Sequence, residues 1–163
     1  MIFSLIQKKV PGVHLVLVGE GPEKIKIEEK IRHENLQSSI TLIEYFDNRA
    51  LPSIYNQSDI FVLPSLMEGV PRTLLESMGC GIPVVTTDLP HLLDIVDGAG
   101  YVVPPKDPQL LSDAILTILE DSSLAESMGK KGREKIETDY SWEDTVKKTL
   151  ALYESVIDGQ PVF

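Results

Sequence analysis

The feature that most constrains this chain is its alternation of short β-branched runs with longer stretches of helical spacing. Residues 13–18 (VHLVLV), 40–43, 60–63 (IFVL), 83–86 (PVVT) and 101–103 read as strands. Between them, residues 23–34, 49–57, 72–79 and 89–96 read as helices. From Asp107 onward the pattern is helical throughout, over 108–119, 123–137 and 142–157, with Ser141 placed to cap the last helix ahead of Glu143 and Asp144. Strands separated by helices pair in parallel and are covered on both faces, which explains why they are short and continuously apolar. The expected fold is therefore α/β, with a doubly wound, Rossmann-like parallel sheet. No internal repeat, low-complexity segment or linker interrupts it.

At 163 residues the chain is the size of a single domain. Its apolar runs fall far short of the roughly 20 residues of a membrane helix, and residues 1–10 have the wrong charge order for a secretory signal. The single cysteine, Cys80, excludes an internal disulfide, and a cytoplasmic location is expected. A net charge of −10 argues against nucleic-acid or anionic-membrane partners. The excess is uneven: residues 1–81 hold 10 acidic and 8 basic side chains, residues 82–163 hold 15 and 7, so an anion meets less repulsion in the first half.

Ligands of such sheets bind beyond the carboxyl ends of the strands, which directs attention to the loops after Val18, Ile43, Leu63 and Thr86. Gly19-Glu20-Gly21-Pro22 follows the first of these strands, and its glycines would let backbone approach a phosphate. Without a third glycine, a plain tight turn is the stronger reading of that loop, and a dinucleotide site is disfavoured. The more telling segment runs from Ser65 to Val85 (SLMEGVPRTLLESMGCGIPVV). Here a strand end delivers Glu68 into a Gly69-Val70-Pro71 loop, with Pro71 expected as the first helical residue. The open amides of Arg72, Thr73 and Leu74 then suit a diphosphate. Glu76 lies further along the same helix, so at about 1.5 Å per residue the two carboxylates stand roughly 8 to 12 Å apart along its axis. That is about the separation of hexose and ribose in a nucleotide sugar. Carboxylates repel phosphate but accept from sugar hydroxyls. The competing reading makes Glu68 an electrostatic support of the helix N-terminus and Glu76 a solvated surface residue.

Glu68, seven residues, Glu76, then Ser77-Met78-Gly79-Cys80-Gly81-Ile82-Pro83-Val84-Val85 resembles the motif of the donor-binding domain of retaining GT-B glycosyltransferases of the family-4, group 1 type. Residues 13–22, 59–65 (DIFVLPS), 102–107 (VVPPKD) and 139–142 (DYSW) resemble further blocks of that family in the same order, so the resemblance covers nearly the whole chain. It implies that Glu68 contacts the transferred sugar and serves as the catalytic residue, while Glu76 holds the ribose diol. Backbone around Gly69, Val70, Arg72 and Thr73 would receive sugar and diphosphate. Gly19 and Gly21 would belong to the same donor site, and Glu44, Tyr45 and Phe46 would lie near the base. This sequence departs from the family where Glu44 replaces a common glycine, Val70 a frequent phenylalanine, and Pro90-His91 a glycine pair.

The implied activity is retaining transfer of a hexosyl group from a nucleotide-diphosphate sugar, the donor being substrate rather than cofactor. No metal is expected, since His14, His33 and His91 lack ligand spacing and no paired aspartates occur. Cys80 reads as a small structural residue and His91 as a surface loop residue.

Against the family pattern the sequence also starts late. The donor domain there opens with a strand and a Gly-Arg…Lys-Gly loop whose cations neutralise the leaving diphosphate, and residues 1–9 resemble the end of the following helix. The expectation is a sheet lacking its first, central strand, leaving residues 13–18 and 60–63 to pair directly, to stand apart or to recruit another chain. The acceptor domain would be supplied by a longer protein or a separate subunit, and the isolated chain would be inactive. The alternative is a non-catalytic module that binds nucleotide sugars.

Overall fold

The computed structural model describes residues 2–159. It contains α1 (Ile2–Lys9), β1 (Leu15–Val18), α2 (Lys24–His33), β2 (Ile40–Ile43), α3 (Leu51–Tyr55), β3 (Phe61–Leu63) and α4 (Arg72–Gly79). Then follow β4 (Val84–Thr87), α5 (Leu92–Val96), β5 (Gly100–Val103), α6 (Pro108–Glu120), α7 (Ser122–Asp139) and α8 (Trp142–Ile157). The expected helix at residues 1–9 is present as α1, apart from Met1, which lies outside the described residues.

All strand pairs are parallel, but they form two sheets. In the first, β1 pairs with β2 in the register Leu15 to Ile40 through Val18 to Ile43. In the second, β4 lies between β3 and β5, with Val84 opposite both Phe61 and Gly100. Every side chain of β4 is buried, as expected for a strand covered on both faces. Strands β1 and β3 stand apart rather than pairing. Solvent reaches β1, where Val16 and Val18 are 40% and 44% exposed.

Helix α1 ties the two sheets together. Phe3 packs with Ile31, Leu36 and Ile40 beside the first sheet, while Ile6, one turn later, packs with Val85, Ile115 and Leu116 beside the second. Val13 touches both groups. The opposite face of the second sheet is closed by Leu74 and Met78 of α4 and by Leu92, Ile95 and Val96 of α5, all buried against Val84. Burying side chains of this size contributes about 1.5–3 kcal/mol each, which makes this cluster the chief anchor of α4.

Local capping sets several boundaries. Asp107 accepts from the amides of Gln109 and Leu110 at 3.1 and 3.0 Å and starts α6. Asp121 accepts from Leu124 at 2.9 Å and starts α7. Ser141 caps α8 through the Asp144 amide at 3.4 Å, and α8 buries none of its own side chains. Several expectations need correction. The helices expected over 49–57 and 89–96 shorten to α3 and α5, the latter starting only after His91, which holds a left-handed φ of 72°. Pro71 is the N-cap of α4 and not its first helical residue, because its ψ of 117° is extended and the helical turn begins at Arg72.

Candidate functional site

The loop after β3 is held by β4. Thr86 Oγ1 donates to the Leu63 carbonyl at 3.0 Å and Thr87 Oγ1 to the Ser65 carbonyl at 2.5 Å, fixing the chain as it leaves the strand. Ser65 Oγ in turn donates to Glu68 Oε1 at 2.8 Å. Glu68 is therefore exposed but oriented by a residue whose own backbone is pinned. Gly69, Val70, Arg72 and Thr73 are exposed beside it.

At the start of α4, the Leu74 and Leu75 amides donate to the Pro71 carbonyl at 3.1 and 3.3 Å. Leu74 therefore leaves the expected set of anion-facing donors, because placing Pro71 at the N-cap brings its carbonyl over the first turn. The amides of Arg72 and Thr73 donate to no group among the described residues, and these two remain directed out of the helix end.

Glu76 is half-buried and has two neighbours. Tyr55 Oη donates to Glu76 Oε2 at 3.2 Å, and Arg72 Nη2 lies 3.9 Å from Oε1 at the end of a largely exposed side chain. Burial, followed by the adjacent Glu76 charge and its hydrogen bond, pushes the Tyr55 phenol well above its usual range. Tyr55 escapes a reading of the sequence because its partner is 21 residues away on another element. Its only local signal is a tyrosine closing a short helix just before a strand.

Beyond the end of β1, an open cleft of about 370 Å³ is lined by Gly19, Gly21, Pro22, Lys24, Ile27 and Glu44, among others. Gly19 adopts a φ of +142°, and a Cβ there would meet nothing within 4 Å, so glycine serves the backbone turn and not close packing. Lys24 is hydrogen-bonded to Glu44, which chiefly raises the lysine pKa, and it lies 3.7 Å from Glu28. Glu44, where the resembled family commonly has glycine, thus engages the cleft's lysine. The adjacent Tyr45 is 82% exposed.

The structure accordingly gathers the predicted residues into two groups at strand ends, Glu68 to Glu76 after β3 and Gly19, Gly21 and Glu44 after β1. No hydrogen bond or ion pair among the described residues joins the groups. Cys80 is half-buried beside them, and burial raises its thiol pKa, with Arg133 opposing the shift and Glu76 adding to it, which suits an inert residue. His91 is exposed at a φ of +72°. Among the described residues no three His, Cys, Asp or Glu side chains gather where they could hold a metal ion, and no helix is long and apolar enough to cross a membrane.

The family described as Glycosyl transferases group 1 matches residues 2–135. An O-antigen chain mannosyltransferase B of Escherichia coli is 31% identical over 85% of this chain and 36% of its own length. Among solved structures, sucrose-phosphate synthase from Thermosynechococcus elongatus superimposes with a TM-score of 0.88 at 28% identity, covering 98% of this chain and 42% of that one. S. aureus TarM, solved with fondaparinux, alpha-GlcNAc-glycerol and UDP, gives 0.84 at 28% identity over 92% of this chain and 31% of its own. This chain thus spans well under half the length of each of these proteins.

Proposed function

Because the chain belongs to the glycosyl transferases group 1 family, with a GT-B, Rossmann-like donor-domain fold, we propose that it binds the nucleotide-diphosphate sugar of a retaining hexosyl transfer. Glu76 holds the ribose diol and Glu68 the transferred sugar. The diphosphate lies at the Arg72 and Thr73 amides, the Gly19–Gly21 loop borders the same donor, and the base lies toward Glu44 and Tyr45. The observation that carries this reading is the arrangement around α4. A carboxylate oriented by Ser65 stands before the helix and one anchored by Tyr55 stands within it, with two free amides between. The UDP in the TarM structure supports a nucleoside diphosphate as the common part of the donor. No separate cofactor or metal is needed, and the setting is cytoplasmic.

Transfer itself needs an acceptor-binding partner, either a domain of the same protein or a separate subunit. Catalysis of diphosphate departure depends on fixed positive charge at the leaving group. Lys24 is engaged by Glu44, and Arg72 lies nearest Glu76. The isolated 163 residues therefore bind donor without transferring sugar.

Calorimetry with a nucleoside diphosphate and with the corresponding nucleotide sugar tests the assignment. Glu76→Ala weakens both by a similar factor, at about 1.5–3 kcal/mol or roughly ten- to hundredfold for hydrogen bonds to a charged acceptor. Glu68→Ala spares the bare nucleotide and weakens only the sugar-bearing donor. Equal loss of bare-nucleotide affinity in the two variants would mean the roles are wrongly assigned. No loss in either would return both glutamates to support and surface roles.

A further inference from the structure

Tyr55 combines three properties that packing alone does not require. It is only 6% exposed, its ring meets Phe61 edge-on at 5.9 Å and 75°, and its hydroxyl has Glu76 Oε2 as its hydrogen-bond partner at 3.2 Å. Phenylalanine would fill the same aromatic position without bringing a hydroxyl to a carboxylate. The ring is fixed by α3 behind it and by β3 at its edge, so the hydroxyl is a stationary donor.

We infer that Tyr55 is a positioning residue for Glu76, fixing one carboxylate oxygen so that the other faces a nucleotide's ribose hydroxyls. The inference rests on the donor-binding reading of Glu76 given above. The two oxygens are held very unequally. Oε2 is tied to a buried, rigid ring, whereas among the described residues Oε1 has only Arg72 at 3.9 Å, on a side chain that is 87% exposed. A flexible guanidinium in contact with water yields readily to a diol. Burial and the Glu76 charge keep the phenol protonated, so its hydrogen bond runs toward the carboxylate. A glutamate anchored before the ligand arrives loses less rotamer freedom on binding, and that advantage is specific to ligands carrying the hydroxyls Glu76 receives.

The measurement is a ratio. Uridine and guanosine diphosphates are titrated into the 163-residue chain, and the one that binds more tightly is compared with its 2′,3′-dideoxy counterpart. The dissociation constant of the dideoxy form divided by that of the ribose form reports what the diol contributes. This ratio is expected to fall to near one in Glu76→Ala and by about three- to tenfold in Tyr55→Phe. The double variant is expected to match Glu76→Ala. Melting curves on the same samples register any structural role, since a hydroxyl that only supports the fold lowers the melting temperature and leaves the ratio alone.

A wild-type ratio in Tyr55→Phe, with the ratio lost in Glu76→Ala, overturns the positioning role and leaves the donor reading standing. A double variant with a lower ratio than Glu76→Ala also overturns it, because Tyr55 would then act on the ligand independently. A ratio unchanged in Glu76→Ala, or no binding of either nucleotide by the unsubstituted chain, overturns the donor reading and this inference together.

Discussion

Gly129 of α7 sits directly over the backbone of Gly81, in the turn after α4: a Cβ at position 129 would stand 2.0 Å from the Gly81 carbonyl oxygen and 2.9 Å from its carbon. The obstacle is backbone, and Gly81 is itself held at a φ of +76°. This contact brings α7 close enough to brace the turn between α4 and β4, and with it the helix carrying Glu76.

Gly129→Ala is therefore expected to force the two elements apart and to destabilise the protein by about 1–3 kcal/mol. Gly79→Ala is the control. Its Cβ would meet only Ile136 Cγ2 at 3.6 Å, an ordinary contact, so the change is expected to be neutral or mildly stabilising. Denaturant melts of the two variants check this. Equal stability of both would mean that α7 does not press on the Gly81 turn.

Acid should weaken the start of α7 through Asp121. The Leu124 amide and then the Ser123 hydroxyl donate to this carboxylate and hold it below its ordinary value of 3.8. A depressed folded pKa means that the unfolded chain takes up the proton first. The contribution is complete above the unfolded value and vanishes as the pH falls through the folded one. Asp121→Asn keeps a capping oxygen and removes the charge. Wild type is expected to melt above this variant at neutral pH, with the difference closing in acid as the pH falls from the ordinary carboxylate value through the depressed folded one. A difference that persists below the folded value would show that charge is not what distinguishes the two caps.

The two-sheet arrangement makes a prediction about association. Among the described residues, strand β1 has β2 on one side and no strand on the other, and it exposes Val16 to solvent. Open edges with apolar side chains recruit other chains, and lysine on such a strand opposes this. Sedimentation velocity is expected to show concentration-dependent self-association of the 163-residue chain, reduced by Val16→Lys. A wild-type chain that stays monomeric throughout would show that the β1 edge is already protected.

What the sequence determined by itself is whatever depends on near neighbours. The runs at Ile40–Ile43, Arg72–Gly79 and Trp142–Ile157 became elements with those same bounds, and Ser141 caps the helix it was expected to cap. A strand's composition or a cap's side chain is effective within a few residues of its own position. The parallel arrangement was also legible, because crossovers of helical length leave little alternative. Local readings also slipped: the helices expected over 49–57 and 89–96 shorten to Leu51–Tyr55 and Leu92–Val96, and at Pro71 the backbone angle and not the residue type decides which side of the helix boundary it occupies.

Tertiary structure alone decided which side chains face one another across elements. Nothing near Tyr55 in the sequence points to Glu76, nothing near Lys24 points to Glu44, and nothing near Gly129 points to Gly81. Each pair is brought together only when helices and strands dock, and docking is set by the summed fit of apolar faces such as those of Leu74, Met78 and Val84. The two glutamates were singled out by their spacing in the sequence, one in the loop before α4 and one within that helix. The tyrosine that holds one of them follows from the packing of α3 against α4 and β3, which no local pattern encodes.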